Sequence, residues 1–179
     1  MNDVINHQSN HLLYFRHGKA TSTAQSGTDA NRTLLEKGKL RVKNTAKIIR
    51  DLDLIPELIL CSGAKRAMQT LTEITKIFGD MPEVEYKYTL YNQVENDIIA
   101  LVHQTPDNIN TLMLIGHEPS ASDISYFFTN KQVSNEHSLN YITSGLSTAE
   151  CTILESPKPI KQWTENSAKL LGLIRGQIS

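Results

Sequence analysis

The sequence is poor in cysteine, has almost no net charge and contains no long apolar run. Its two cysteines, Cys61 and Cys151, are too few for a disulfide framework and stand in no metal-ligand spacing, so we expect buried thiols in strands. A formal net charge of -1 excludes a global field that attracts nucleic acid or membrane surfaces. The polar N-terminus, MNDVINHQSN, has no apolar signal core, and no run of about 18 apolar residues occurs. We therefore expect a cytoplasmic protein without nucleic-acid or membrane partners, in which any anion site is built locally.

Short apolar runs alternate with longer amphipathic stretches along the 179 residues. A chain of this length fits one domain, and we expect residues 1–179 to form one, with residues 1–10 as a flexible N-terminal extension. The alternation predicts an α/β fold in which a mostly parallel central sheet is flanked by helices.

Apolar spacing and helix-breaking residues place the individual elements. We predict strands at residues 12–15, 58–61, 84–86 and 111–115, and a late strand within 142–154. We predict helices at residues 33–52, from Ser62 as the N-cap to Gly79, at 98–102, after Pro119 and at 162–174. Residues 91–96 and 130–141 are predicted to be loops.

Side chains suited to phosphate chemistry follow three of the predicted strands. Arg16 and His17 follow the first strand, residues 62–66 follow the second, and His117 follows the fourth. In open parallel sheets the ligand crevice lies at the carboxyl ends of the strands, so we expect these groups to face one crevice.

Arginine and histidine together can transfer a phosphoryl group. The planar guanidinium groups of Arg16 and Arg66 suit phosphoryl oxygens and would neutralise charge in the transition state. A neutral histidine is a nucleophile, and nearby guanidinium groups keep it neutral by opposing a second positive charge. Each of these residues alone also fits a structural or surface role, so the joint pattern carries the prediction.

Three short motifs lie at these strand ends. Residues 13–18 read LYFRHG, residues 62–70 read SGAKRAMQT, and residues 116–119 read GHEP. In the same order, they resemble the RHG, SPxxRAxQT and GHNP motifs of the histidine phosphatase superfamily, which includes the cofactor-dependent phosphoglycerate mutases. The short chain, Lys19-Ala20 after RHG, and residues 32–38 (RTLLEKG) are similar to the SixA-type phosphohistidine phosphatases. The resemblance covers residues 12 to about 128.

The resemblance implies a three-layer, Rossmann-like fold and a role for each matching residue. His17 would be the nucleophile, with Arg16, Arg66 and His117 around the phosphoryl group. Ser62 and Lys19 are further candidates for substrate binding. The substrate would be a phosphorylated protein or a small phosphorylated molecule, and neither a cofactor nor a metal is implied.

The sequence departs from the motifs at Gly63, where proline is usual, and at Glu118, where asparagine is usual. A larger departure lies after the third strand, where ester-cleaving members carry an acidic proton donor and residues 91–97 give no clear match. Glu95 and Glu118 are the candidate donors, although both also fit solvated surface carboxylates. A missing acid is easier to reconcile with phosphohistidine than with an ester, because imidazole leaves as a stable neutral ring.

The sequence therefore predicts a phosphatase that acts through a phosphohistidine intermediate and removes phosphate from phosphohistidine in a signalling protein. The alternatives are a general small-molecule phosphomonoesterase and a non-catalytic module that binds phosphate or phosphoprotein. A mutase is disfavoured because the chain lacks extra length around the substrate. A zinc hydrolase is disfavoured because Arg16 beside His17 opposes metal binding.

Overall fold

A computed structural model describes residues 5–25, 27–80 and 82–178. Residues 1–4 of the predicted flexible extension lie outside this range, and residues 5–9 lead into the first strand. The strands are β1 (Asn10–Arg16), β2 (Leu58–Cys61), β3 (Glu83–Tyr86), β4 (Thr111–Gly116), β5 (Glu150–Ser156) and β6 (Lys169–Arg175). The helices are α1 (Glu36–Asp51), α2 (Lys65–Phe78), α3 (Thr89–Asn92), α4 (Glu95–His103), α5 (Ser120–Phe128) and α6 (Glu136–Thr143), with short 3-10 turns at Asp29–Asn31 and Ile160–Gln162. Within the described ranges, no helix combines the length and apolar character needed to cross a membrane.

The strands form one six-stranded sheet in the order β3-β2-β4-β1-β5-β6. Strands β1 to β4 run parallel to their neighbours in this group, whereas β5 is antiparallel to β1 and β6 is antiparallel to β5. The predicted α/β fold with a mostly parallel central sheet is therefore confirmed. All of the strands that end in candidate site residues belong to the parallel part.

The two faces of the sheet carry separate hydrophobic cores. On β1, Leu12 and Tyr14 pack into one core, while Leu13 and Phe15 pack into the other, as the period of two in a strand requires. Helices α4, α5 and α6 cover the first face, and α1 and α2 cover the second. This three-layer arrangement explains why the parallel strands read as continuous apolar runs.

The predicted helix at residues 162–174 is wrong, because its second half is the edge strand β6. Leu170 packs into one core, and Leu171 and Ile174 pack into the other. A strand buried on both faces gives an apolar spacing that also fits a helix. Antiparallel pairing with β5 decides between the two.

Two of the predicted loops contain helices. Residues 130–141 include most of α6, whose N-terminus is capped by the Asn135 side chain accepting from Ser138 N at 3.2 Å. Residues 91–96 contain the end of α3 and the start of α4. Both helices are short, so their polar sequences carried little periodic signal. Gly79 does end α2 as predicted, with a φ of 74°.

Candidate active site

The ends of the parallel strands bring the predicted residues together. The ladders continue past the strands, since His17 N donates to Gly116 O at 3.0 Å and Ser62 N donates to Ile115 O at 2.9 Å. The register that aligns Arg16 with Gly116 places the rings of His17 and His117 side by side, with their centroids 5.0 Å apart. The predicted crevice is therefore present.

The hydrogen bonds of His17 place its ring proton on one nitrogen and its lone pair on the other. Its Nδ1 lies 2.8 Å from Gly18 O, and because a carbonyl oxygen only accepts, Nδ1 must carry the proton. The lone pair is then on Nε2, which accepts a hydrogen bond from Arg66 Nε at 3.2 Å. Burial, followed by the positive charges of Arg66 and Arg16, lowers the pKa of His17 to about 4. The imidazole is therefore neutral at physiological pH.

Gly18 lets helix α1 approach the backbone beside His17 closely. A Cβ at this position would lie 2.8 Å from Val42 Cγ2 and 3.0 Å from Gly38 O. Gly18 N also donates to Thr70 Oγ1 of α2 at 3.0 Å. The glycine after His17 thus fixes the backbone that orients the ring.

Arg66 is held by Asp29 as well as by His17. Its Nη1 donates to Asp29 O at 2.9 Å, and its Nη2 pairs with the Asp29 carboxylate at 3.0 Å. Asp29 lies in the 3-10 turn over the site, is about half exposed and also pairs with Arg32 at 3.0 Å. Arg32, followed by Arg66, lowers the pKa of Asp29. The Asp29 carboxylate therefore occupies part of the hydrogen-bonding capacity of the Arg66 guanidinium group.

His117 is oriented from behind by Ser62. The Ser62 hydroxyl lies 2.8 Å from His117 Nε2 and accepts from Ala64 N at 3.3 Å. The hydroxyl proton has no other acceptor in the described residues, so it is donated to Nε2, and the ring proton resides on Nδ1. Nδ1 is buried and has no hydrogen-bond partner there. Burial, with the nearby His17 and Arg66, lowers the pKa of His117 to about 3.

Two predictions about Ser62 need correction. Ala64, not Ser62, is the N-cap of α2. Ser62 is also fully buried, so its hydroxyl contacts His117 instead of a substrate in the cavity. Its role is to position the second histidine.

Arg16 reaches across the site from the end of β1. Its Nη1 donates to Leu146 O in the loop before β5, and its Nε is buried without a partner among the described residues. This unused donor gives Arg16 the capacity to bind an anion.

A cavity of about 240 Å³ joins these side chains. It is lined mainly by cationic, histidine and amide side chains, with one carboxylate: Arg16, His17, Lys19, Arg32, Arg66, Gln93, His117 and Glu118. The predicted nucleophile and phosphoryl-binding residues thus share one polar, positively charged cavity with Lys19. It matches a site for a phosphoryl group.

Solved structures with this fold cover almost the whole chain. The protein assigned as phosphohistidine phosphatase SixA in Nakamurella multipartitia has a TM-score of 0.78 at 20% identity, over 96% of this chain and 97% of that one. Its counterpart from Agrobacterium tumefaciens has a TM-score of 0.75 at 22% identity, over 92% of this chain and 96% of that one. This chain has the fold of these two SixA structures. A protein histidine phosphatase SixA complexed with tungstate also shares the fold, with a TM-score of 0.67 at 17% identity, over 92% of this chain and 96% of that one.

The sequence relatives show that the chain belongs to a family, but these relatives have no assigned activity. An uncharacterized Picosynechococcus protein is 30% identical over 113 residues, which are 63% of this chain and 68% of that protein, and the two belong to one family. An uncharacterized protein of Mycobacterium tuberculosis is 33% identical over 95 residues, half of this chain, and the chain spans 58% of its length. No family model matches the sequence.

The two candidate proton donors differ in position within the SixA fold. Glu118 lines the cavity, and its Oε1 accepts from Ser122 Oγ and Leu146 N, both at 2.9 Å. Burial raises the pKa of Glu118. Glu95 is exposed at the start of α4 and does not line the cavity. The structure therefore brings only Glu118 to the site.

Asp29 and Gln93 also lie at the site, and the sequence did not predict them. Asp29 lies in a polar loop between the matched stretches, and its pairing with Arg66 depends on how residues 27–35 fold over α2. Gln93 lies in the segment after β3 where an acid was sought, and it adopts a left-handed φ of 60°. Neither position has a local sequence signal.

The two cysteines lie in the strands, and no cluster of metal-binding side chains occurs in the described residues. Cys61 in β2 and Cys151 in β5 are free and buried, as predicted, and burial raises the pKa of Cys61 to about 12. In the described part of the chain, no group of three or more His, Cys, Asp or Glu residues has the arrangement to hold a metal ion.

Proposed function

We propose that this chain is a phosphatase in which His17 attacks phosphorus and carries the phosphoryl group transiently. The observation that carries the proposal is the His17 ring, which is neutral, has its lone pair on Nε2 and shares a cavity with Arg16, Arg66 and His117. A nucleophile placed among permanent cations and a neutral donor is what in-line phosphoryl transfer requires.

The first step forms a bond from His17 Nε2 to phosphorus and breaks the bond from phosphorus to the leaving group. Arg66 Nε must turn from Nε2 to a phosphoryl oxygen, because one lone pair cannot both accept a hydrogen bond and attack. Arg16, through its unpaired Nε, and His117, through its Nδ1 proton, supply further donors to the phosphoryl oxygens. In the second step water attacks phosphorus, the bond to Nε2 breaks, and inorganic phosphate leaves.

We propose phosphohistidine in a signalling protein as the substrate. Gln93 supports this choice, because an amide cannot release a proton and it reaches the cavity from the segment after β3. An imidazole leaving group depends less on a general acid than an alkoxide does. The SixA fold supports the same class of substrate.

A second candidate is a small-molecule phosphomonoesterase, which Glu118 favours. This carboxyl group lines the cavity, and its raised pKa helps it hold a proton for a leaving alkoxide. Replacing Glu118 with Gln separates the candidates. Ester hydrolysis would fall at least tenfold while phosphohistidine hydrolysis changes little, if Glu118 acts only on esters.

The test of the enzyme proposal compares His17→Ala with a matched control, His137→Ala on the exposed surface of α6. The substrates are a histidine-phosphorylated protein and a panel of small phosphate esters, with and without a chelator. We expect His17→Ala to lose activity by about a thousandfold or more, and the control to retain it. A wild-type protein that binds phosphate but turns over no phosphorylated substrate would leave the non-catalytic module as the better account.

Activity that survives the chelator would dispose of the zinc hydrolase alternative, whereas activity that needs added metal would contradict the mechanism. Location in the cytoplasm stays a prediction of the sequence.

A further inference from the structure

A second cavity adjoins the candidate active site. It has a volume of about 430 Å³ and lies between α1, the loop before β5 and the end of β6. Arg16, Lys19 and Thr148 line both cavities, so the two are parts of one continuous depression. The mechanism proposed above uses only the smaller part.

The charged side chains that line the larger cavity are all positive among the described residues. Five cationic side chains line it, and no carboxylate does among the described residues: Arg16, Lys19, Lys37, Arg41 and Arg175. Arg175 is partly neutralised by Glu150 at 3.5 Å. Lys19, Lys37 and Arg41 form no ion pair within the described part of the chain.

Arg41 gives the clearest sign of a missing partner. Its Nε atom is buried and has no hydrogen-bond partner among the described residues. A buried donor without a partner costs free energy, and like charges gathered around one cavity repel one another. Neither the unpaired donor nor the charge repulsion stabilises the fold. An anion in the cavity would supply an acceptor for Arg41 and would offset the repulsion. Ser147 and Thr148 add polar side chains to the lining.

We propose that this basic cavity binds a second anionic group of the substrate, a phosphate or a carboxylate, next to the phosphoryl group that His17 receives. Arg16 and Lys19 line both cavities, so the two anions would lie on one substrate molecule instead of on a substrate and a separate effector. The substrate assignment rests on the proposed phosphatase function, while the presence of the second anion site does not.

Titration calorimetry with inorganic phosphate tests the anion site without turnover. We expect two phosphates per wild-type chain, and one per chain when Lys37→Ala and Arg41→Ala are combined. Lys47→Ala with Arg50→Ala is the matched control on the exposed surface of the same helix, and it should keep both sites. A single phosphate per wild-type chain would overturn the proposal even if the protein proves to be a phosphatase.

Kinetics then test whether the second anion belongs to the substrate. One pair of substrates is glucose 6-phosphate and glucose 1,6-bisphosphate, and the other is a phosphohistidine peptide with Asp or with Asn beside the phosphohistidine. In whichever pair is turned over, Arg41→Ala should raise KM about tenfold for the member with the extra anion and less than twofold for the other. An equal effect on both members would overturn the substrate assignment. Absence of turnover on all four would count against the phosphatase, and the calorimetry would still decide on the anion site.

Discussion

At the scale of single residues, the candidate site contains two histidines that are kept neutral. His17 and His117 are buried, and Arg16 and Arg66 add positive charge beside them. The sequence motifs predicted these four residues, because their types and strand-end positions suit phosphate chemistry. The hydrogen bonds that set the tautomers could not be predicted from the sequence. They depend on where the fold places the Gly18 carbonyl and the Ser62 hydroxyl relative to the two rings.

The pH dependence of kcat/KM reports the ionisation of the free nucleophile. Since the pKa of His17 is lowered to about 4, we expect the acid limb of the profile to lie near that value. An acid-stable phosphate ester is the suitable substrate, with kcat/KM measured from neutral pH downward. The substrate's own phosphate ionises at about pH 6 and is titrated separately, so that its contribution can be removed from the profile. A remaining acid limb near 6.5 would contradict the lowered pKa of His17.

At the scale of elements, the candidate site is supplied by the ends of parallel strands and by the segments that cover them. The buried parallel strands were predicted closely, because a run such as residues 111–115 has few other interpretations. The edge strand β6 was mistaken for a helix, since its pairing with β5 is a tertiary interaction that local spacing does not encode. For the same reason, the 3-10 turn carrying Asp29 could not be assigned to the site in advance.

The Asp29 carboxylate of that turn pairs with Arg66 of α2, so we predict that it competes with phosphate for Arg66. Asp29→Asn keeps the backbone carbonyl that binds Arg66 Nη1 but removes the charge beside Arg66 Nη2. We expect inorganic phosphate to bind about twofold to fivefold more tightly, the size expected for a half-exposed ion pair.

Calorimetry on Asp29→Asn and on the control Asp51→Asn, an exposed pair on α1, checks this expectation. Weaker phosphate binding by Asp29→Asn alone would mean that Asp29 orients Arg66 for phosphate instead of competing with it.

At the scale of the whole molecule, one sheet and two cores support a polar site at one end. That site lowers the free energy of unfolding in acid, because two buried histidines must stay unprotonated inside the fold. The prediction that residues 1–179 make a single domain stays a prediction. Cationic side chains are concentrated in the candidate active site and in the basic cavity beside it. A chain with a net charge of -1 can therefore still attract an anion locally.

Stability should fall as the pH drops below the ordinary histidine pKa. Below pH 6.5 the unfolded chain takes up protons at His17 and His117, whereas the folded chain resists until about pH 4 and about pH 3 respectively. Between pH 6.5 and about 4, each histidine therefore lowers the free energy of unfolding by up to about 1.4 kcal/mol per pH unit.

Denaturant unfolding across this window, compared among wild type, His17→Asn and His117→Asn, measures the effect. Each substitution should make the decline shallower than in the wild type. Identical slopes in all three proteins would show that neither histidine is held neutral by the fold.

The most direct test of the central claim is to trap the phosphorylated protein. A phosphorylated substrate is mixed with the wild-type chain, quenched under alkaline conditions that preserve phosphohistidine, and the peptides are mapped by mass spectrometry. We predict a phosphoryl group on His17, present within the first turnover and lost as substrate is exhausted. Turnover without phosphorylation of His17, or phosphorylation of another side chain in its place, would contradict it.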